Sequence, residues 1–171
     1  MAPSLRRAER LPSQVRTALR LGSGERVLSW GREDASGTTI VGTNHALYAV
    51  DASGKRTLHR PWHEVDAGSW SAELATLTVT WVDGSRPAQW VLGSTSLLPE
   101  TLRERVQASV VLAQRVDLGP RRTAKVALRQ DLGAGGLVEQ VVFGKGARAD
   151  DAELHERTRA ALAYLREQVG L

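Results

Sequence analysis

Residues 74–84 have the sequence LATLTVTWVDG, and this stretch decides the fold class. β-Branched and apolar residues fill it, and the Asp83-Gly84 pair at its end favours a tight turn. We therefore predict a strand that turns back into a second strand at PAQWVLG, residues 87–93. This hairpin is the clearest β signal in the chain.

On the N-terminal side of the hairpin, short segments with a period of two alternate with turn sequences. In the first of these segments, Val27 and Ser29 are expected on one face, with Leu28 and Trp30 on the other. The predicted strands span 26–33, 38–43, 46–51 and the extended segment 56–70; the turns are 34–37, 44–45 and 52–55. Without an intervening helix, these strands and the hairpin predict an antiparallel meander curled into a sandwich or partial barrel.

Helical signals flank this β region. A short helix is predicted over 13–21, and a second begins at Pro99, a residue suited to a first helical turn. The segment 109–118 either continues that helix or forms a strand, and its valines favour the strand. Strands 121–131 and 137–144 follow, joined by the loop LGAGG.

The last predicted element is a helix that Asp150 or Asp151 caps. Its apolar stripe consists of Leu154, Ala161, Leu162, Leu165 and Val169. A helix of this length is marginal in water without packing, so we expect it to dock on the sheet formed by residues 109–144.

These elements predict an α+β fold with an N-terminal arm and two units. The arm with its short helix is residues 1–24. A β-domain with a helix covers 25–108, and a three-strand sheet with a helix covers 109–171.

Composition excludes several classes of site. The 171-residue chain has no cysteine, so disulfides, thiolate zinc sites and thiol nucleophiles are ruled out. No apolar run approaches the roughly 20 residues that span a bilayer, and the N-terminus lacks the apolar core of a signal peptide. We therefore expect a cytoplasmic protein. Its net charge of +4 permits weak attraction to nucleic acid or anionic lipid without requiring either.

The order of signals between residues 25 and 93 resembles that of bacterial pleckstrin-homology-like and GRAM-like domains. The matching pieces are Glu25-Arg26-Val27-Leu28, Thr43-Asn44, Leu47-Tyr48, Trp62-His63-Glu64-Val65, Leu77-Thr78-Val79 and Asp83-Gly84. The helix from Pro99 takes the place of the helix that plugs the open end of such a barrel. As a whole, the chain also resembles small proteins of actinobacteria. The resemblance implies a pleckstrin-homology-like fold and a binding role, and it supplies no catalytic residues.

His59 and His63 are the most reactive-looking pair in the sequence, inside LHRPWHEVDAGSW, residues 58–70. Histidines four apart share a helix face and bind zinc in metalloproteases. On an ideal strand the same spacing separates them by about 13 Å, too far for one metal ion. A bulge at Pro61 would bring them closer. We predict a strand whose anchors are Trp62, Val65 and Trp70, with no metal and no cofactor.

Motifs of enzymes are absent from the sequence. No G-x-S-x-G nucleophile elbow occurs, and GKG at 144–146 lacks the other residues of a phosphate-binding loop. The LGAGG loop lies between two predicted strands, so it indicates a hairpin and not a dinucleotide fingerprint. Helix capping explains the paired carboxylates Asp150 and Asp151.

Tryptophans and arginines are the remaining candidate binding residues. All five tryptophans fall in predicted strands, where core packing is the default and exposure of one or two on a binding face is the alternative; Trp81 and Trp90 are expected to face each other across their hairpin. A candidate surface for anionic ligands consists of Arg6, Arg7, Arg10, Arg121, Arg122 and Lys125. No aromatic residue interleaves with it, so the stacking platforms for single-stranded nucleic acid are missing.

Together these features predict a non-enzymatic binding or scaffold module. Its partner is expected to be a protein, held at an exposed sheet edge or between the two units, and self-association is compatible with this. One alternative is a peripheral module for anionic lipid or nucleic acid. Another is a small enzyme whose site the motifs do not reveal.

Overall fold

The computed structural model describes residues 9–93 and 96–171 and has an α+β fold, as predicted. The helices are α1 (Ser13–Leu19), α2 (Leu98–Ser109) and α3 (Ala152–Gln168). The strands are β1 (Val27–Arg32), β2 (Thr39–Thr43), β3 (Ala46–Val50), β4 (Arg56–Pro61), β5 (Val65–Ser71), β6 (Thr76–Trp81), β7 (Ala88–Val91), β8 (Val110–Asp117), β9 (Thr123–Gln130) and β10 (Leu137–Phe143). They form three antiparallel sheets; among the described strands, none closes a barrel.

Two of the sheets share one apolar core. Sheet 1 has the order β1-β2-β3-β4 and sheet 2 the order β5-β6-β7. The inward side chains of Ile40 and Leu47 from sheet 1 join Leu77 and Val79 from sheet 2 in a single buried cluster. Leu98 and Leu102 of α2 enter the same cluster, so this helix packs against the core that the two sheets share.

Helix α1 covers the outer face of sheet 1. Leu11, Val15 and Leu19 are buried against Val41 and Tyr48, which point away from the first core. Strands β2 and β3 are therefore buried on both faces, which explains why their sequences are mostly apolar and carry no charge.

The segment 56–70 differs from the single extended strand that its composition predicts. Strand β4 ends at Pro61, a 3₁₀ turn runs over Trp62–Glu64, and β5 begins at Val65. The turn carries the chain from sheet 1 to sheet 2. Trp62 lies inside this corner with none of its surface exposed, as predicted, and its indole N–H donates to the Thr43 carbonyl at 2.8 Å.

Two predicted facings in the strands are wrong. A bulge at residues 27–29 of β1 puts Val27 and Trp30 on the same face, where both pack under α1. Trp90 pairs with Leu77 and not with Trp81, because the β6–β7 register sets Val79 opposite Ala88.

Sheet 3, with the order β10-β9-β8, carries α3 on one face. Leu154, Ala161 and Leu165 are buried against Val126 and Leu128 of the central strand β9, so the predicted docking of this helix is confirmed. Asp151 is its cap, accepting from the Leu154 N–H at 3.1 Å. The segment 109–118 forms strand β8, as its valines indicate.

The other face of sheet 3 meets the 3₁₀ turn and the start of β5 through Arg129. This side chain is 3% exposed, and its guanidinium donates to the carbonyls of Trp62 and Val65 and to the Ser109 hydroxyl. Gln140 adds a hydrogen bond to the His63 carbonyl. A hydrogen-bonded contact thus joins the predicted units 25–108 and 109–171.

Candidate functional site

A groove of 410 Å³ runs between strand β5 and helix α2. Its strand side consists of Asp66, Ala67, Gly68, Ser69 and Trp70, and its helix side of Pro99, Glu100, Leu102, Arg103, Val106 and Gln107; Leu77 completes the lining. Half-buried Trp70 and Val106 pack against the core and present their remaining surface to this groove.

Gly68 explains how closely the helix approaches the strand. Gly68 pairs with Val79, so its missing side chain would point inward, at the place where the Leu102 side chain packs. A Cβ on Gly68 would overlap a terminal methyl carbon of Leu102, so any other residue here would force the Leu102 side chain to move. The packing of Leu102 against β5 therefore depends on this glycine.

Strand β5 is the edge of sheet 2. Within the described residues it pairs only with β6, and Ala67, Gly68 and Ser69 are exposed. At its start the Val65 carbonyl already accepts from Arg129, so sheet 3 covers that end of the edge. The uncovered part beyond Val65 can offer backbone hydrogen bonds to a further extended chain.

The charged groups of the groove lie on its rim. Asp66 is bound by Lys125 of β9 across the contact between the sheets, while Glu100 and Arg103 belong to the exposed side of α2. The lining residues of the groove include no histidine, and their two carboxylates, Asp66 and Glu100, come from opposite sides of the groove. The groove is therefore suited to a ligand that makes apolar contacts and pairs its backbone with β5. The charged residues at the rim would select among such ligands by their charge.

The predicted surface for anionic ligands is spread over two parts of the fold. Arg6 and Arg7 lie outside the described residues. Exposed Arg10 precedes Leu11, which packs under sheet 1, whereas Arg121, Arg122 and Lys125 belong to sheet 3 and its β8–β9 turn. Arg122 faces α3, where it binds Asp151 and Glu153, whereas Lys125 points to the opposite face and binds Asp66, so the structure does not gather the predicted cations into one surface.

Two of the cations in sheet 3 are engaged in ion pairs. Arg122 donates twice to Asp151 and once to Glu153, at 2.7–3.1 Å, and Lys125 binds Asp66. The hydrogen bond from Arg122, with that of the Leu154 N–H, lowers the pKa of Asp151 to about 2. An anionic ligand would have to compete with these carboxylates.

His59 and His63 lie on different elements, and their side chains make different contacts. His59, on β4, stacks on the Tyr48 ring with 4.6 Å between ring centroids. His63, in the 3₁₀ turn, is buried with its Nδ1 4.0 Å from a carboxylate oxygen of Asp131. Among the described residues no group of three or more histidine, aspartate or glutamate side chains could hold a metal ion.

The residues that carry the resemblance meet in one polar network. The Glu25 carboxylate accepts from the Thr43 hydroxyl at 2.6 Å and from the Tyr48 hydroxyl at 2.8 Å, while the Asn44 side chain accepts from the Arg26 N–H. Burial alone would raise the pKa of Glu25, but the hydrogen bonds from Thr43, the Gly22 N–H and Tyr48 lower it overall. Burial and the bond to Glu25 raise the pKa of Tyr48. This network ties the segment after α1 to sheet 1, so its role is structural.

Sequence reasoning missed the groove and Arg129. Trp70, predicted as a core anchor, also lines the groove. Gly68, expected as an irregularity, is the one local signal that another element approaches β5 closely. Arg129 directly follows the buried apolar run Val126-Ala127-Leu128 of β9, and an arginine there is a signal for a buried polar contact.

Comparison with known proteins finds no match to a family model, to a curated protein or to a solved structure. Within the described residues, no helix combines the length and the apolar character needed to cross a membrane. The resemblance to pleckstrin-homology-like domains thus stays a prediction.

Proposed function

We propose that this protein is a non-enzymatic binding module that holds an extended segment of a protein partner in the groove between β5 and α2. The partner segment pairs with the free edge of β5 and places side chains against Trp70 and Val106. The observation that carries this proposal is an unpaired, exposed strand edge directly beside a partly apolar groove. Addition of a strand to such an edge is a common mode of peptide recognition.

The pleckstrin-homology-like assignment is part of the same proposal. A four-stranded and a three-stranded antiparallel sheet share a core, and a helix packs at their end, which is the order of elements that the resemblance implies.

Anionic lipid or nucleic acid is the less favoured class of partner. Binding of that kind depends on cations that are free to neutralise phosphates. Arg122 and Lys125 are instead held by carboxylates of the same chain.

The groove can be tested with a library of random peptides and the full-length protein labelled with ¹⁵N. Of the five tryptophans, Trp70 alone lines this groove, so its indole N–H resonance should shift on binding while that of buried Trp62 stays in place. Selected peptides should carry apolar residues at alternate positions, because successive side chains of a strand point to opposite faces.

A matched pair of variants completes the test. Val106→Asp places a charge in the groove, whereas Ala108→Asp places the same charge on an exposed position of α2 that does not line it. We expect a loss of peptide affinity of about tenfold or more in the first variant alone, equivalent to roughly 1.4 kcal/mol. Since Val106 also packs on the core, Ser69→Lys on exposed β5 serves as a second groove variant. Equal affinities in all variants, or salt-sensitive binding of anionic vesicles instead of peptides, would exclude this site.

A further inference from the structure

Helix α3 makes polar side-chain contacts with β10 and with Arg122, whereas toward β8 it packs on the apolar side chains of Leu112 and Val116. Toward β10, the Arg166 guanidinium donates twice to Glu139 at 2.6 Å, and the Phe143 and His155 rings meet edge to face at 4.9 Å. Toward β8, two cavities of 340 and 500 Å³ adjoin and share Gln114 and Tyr164 in their linings. They form an open groove, the β8–α3 groove, along the whole of strand β8.

The β8–α3 groove adjoins an unpaired backbone edge. Within the described residues β8 pairs only with β9, and its eight residues form the longest unprotected edge next to apolar surface. Val111 on this edge is 39% exposed, and Tyr164 on the facing helix is 54% exposed. Both side chains would lose apolar surface if another strand were added to β8.

The residues of β8 match a second copy of the same strand. Leu112, Gln114 and Val116 pair with Leu128, Val126 and Ala124, so they share the face that carries α3. In an antiparallel pair of β8 strands related by a two-fold axis at Gln114, Leu112 of one copy opposes Val116 of the other, and the two Gln114 amides meet.

Charges are compatible with the same register. Arg115 then opposes Ala113 of the second copy and Asp117 opposes Val111, so no two like charges are directly opposite. Arg115 already has its own counter-ion, Asp117, at 3.2 Å. A closed two-fold contact of this kind uses the same patch on both copies and ends with the dimer.

We propose that the protein forms a homodimer in which the β8 edges of two copies pair antiparallel. Sheet 3 and its copy become one six-stranded sheet, and the two α3 helices lie side by side on the same face. Tyr164 of each copy covers the new β8–β8 junction. This interface is separate from the groove between β5 and α2, so the dimer presents two peptide grooves.

The test is the oligomeric state of the full-length chain by sedimentation velocity over a wide range of protein concentrations. Val111→Lys should weaken the dimer by at least about tenfold in Kd, because an edge lysine opposes strand pairing. The matched control is Leu137→Lys on β10, the opposite edge of the same sheet, where the residue is 42% exposed. It should leave the dimer intact.

Tyr164→Glu provides a second disruption on the helix, in case Val111→Lys perturbs the fold, and far-UV circular dichroism checks that each variant remains folded. A wild-type chain that stays monomeric at every concentration would overturn the proposal. A dimer that responds equally to the changes on β8 and on β10, or to neither, would overturn it as well.

Discussion

Replacement of Arg129 by methionine tests whether one buried cation makes the two predicted units fold as one. Methionine keeps an unbranched apolar stem and removes all of the guanidinium donors. The carbonyls of Trp62 and Val65 and the Ser109 hydroxyl then lose their hydrogen bonds at a buried contact. The contact between sheet 3 and the 3₁₀ turn should loosen as a result.

The size of the effect follows from two opposing contributions. Each buried acceptor left without a donor costs about 1–3 kcal/mol. Part of that cost is offset, because no carboxylate within the described part of the chain pairs with Arg129 and burial opposes its charge, lowering its pKa. We therefore expect Arg129→Met to lower the free energy of unfolding by about 2–4 kcal/mol.

Urea denaturation followed by two probes can measure both stability and coupling. All five tryptophans lie between residues 30 and 90, so their fluorescence reports on sheets 1 and 2, whereas far-UV circular dichroism reports on the whole chain. The two curves should coincide in the wild type and separate in Arg129→Met, since the units no longer unfold together.

Arg159→Met is the control for this experiment, because that side chain is 73% exposed on α3 and lines neither groove. Its effect should stay within about 0.5 kcal/mol. If Arg129→Met matches this control, or if its two curves still coincide at wild-type stability, the Arg129 contact does not couple the units.

Three further predictions concern the core, the last helix and acid stability. Trp62→Ala should lower the free energy of unfolding by about 3–5 kcal/mol, and an unchanged melting temperature would contradict the burial argument. Deletion of residues 150–171 should expose the apolar face of sheet 3; hydrogen exchange in β9 as slow as in the full chain would show that α3 is dispensable. The pKa of Asp151 is about 2 in the folded chain against an ordinary value of 3.8, so its ion pair with Arg122 contributes stability above pH 4 that is lost as the pH falls toward 2. In Asp151→Asn the free energy of unfolding should therefore depend less on pH between 4 and 2 than in the wild type. The same pH dependence in both proteins would refute the role of the ion pair.

Local sequence patterns are sufficient to predict most of the helices and strands. Strand β6 and helix α3 follow directly from a period of two and from a capped apolar stripe. These signals depend only on neighbours in sequence, so the predicted helices and strands do not depend on how distant segments of the chain pack. The segment 56–70 shows the limit of such reasoning, since its β composition is correct but a 3₁₀ turn divides it.

The candidate site is harder to predict because it consists of what other elements leave uncovered. The sequence favours extended structure at β5 and β8; it does not determine that each becomes the edge of a sheet, since pairing depends on residues far away in the chain. Likewise, the sequence shows only that Arg129 lies in a strand. Its hydrogen bonds to the carbonyls of Trp62 and Val65 depend on the packing of two distant segments. Chain periodicity thus determined the α+β composition and the docked last helix, while the burial of Trp62 followed from the resemblance and from the tendency of tryptophan to pack in the core. Tertiary packing alone decided which edges stay free, which cations are neutralised and where a groove remains, because those properties arise between segments that are distant in sequence.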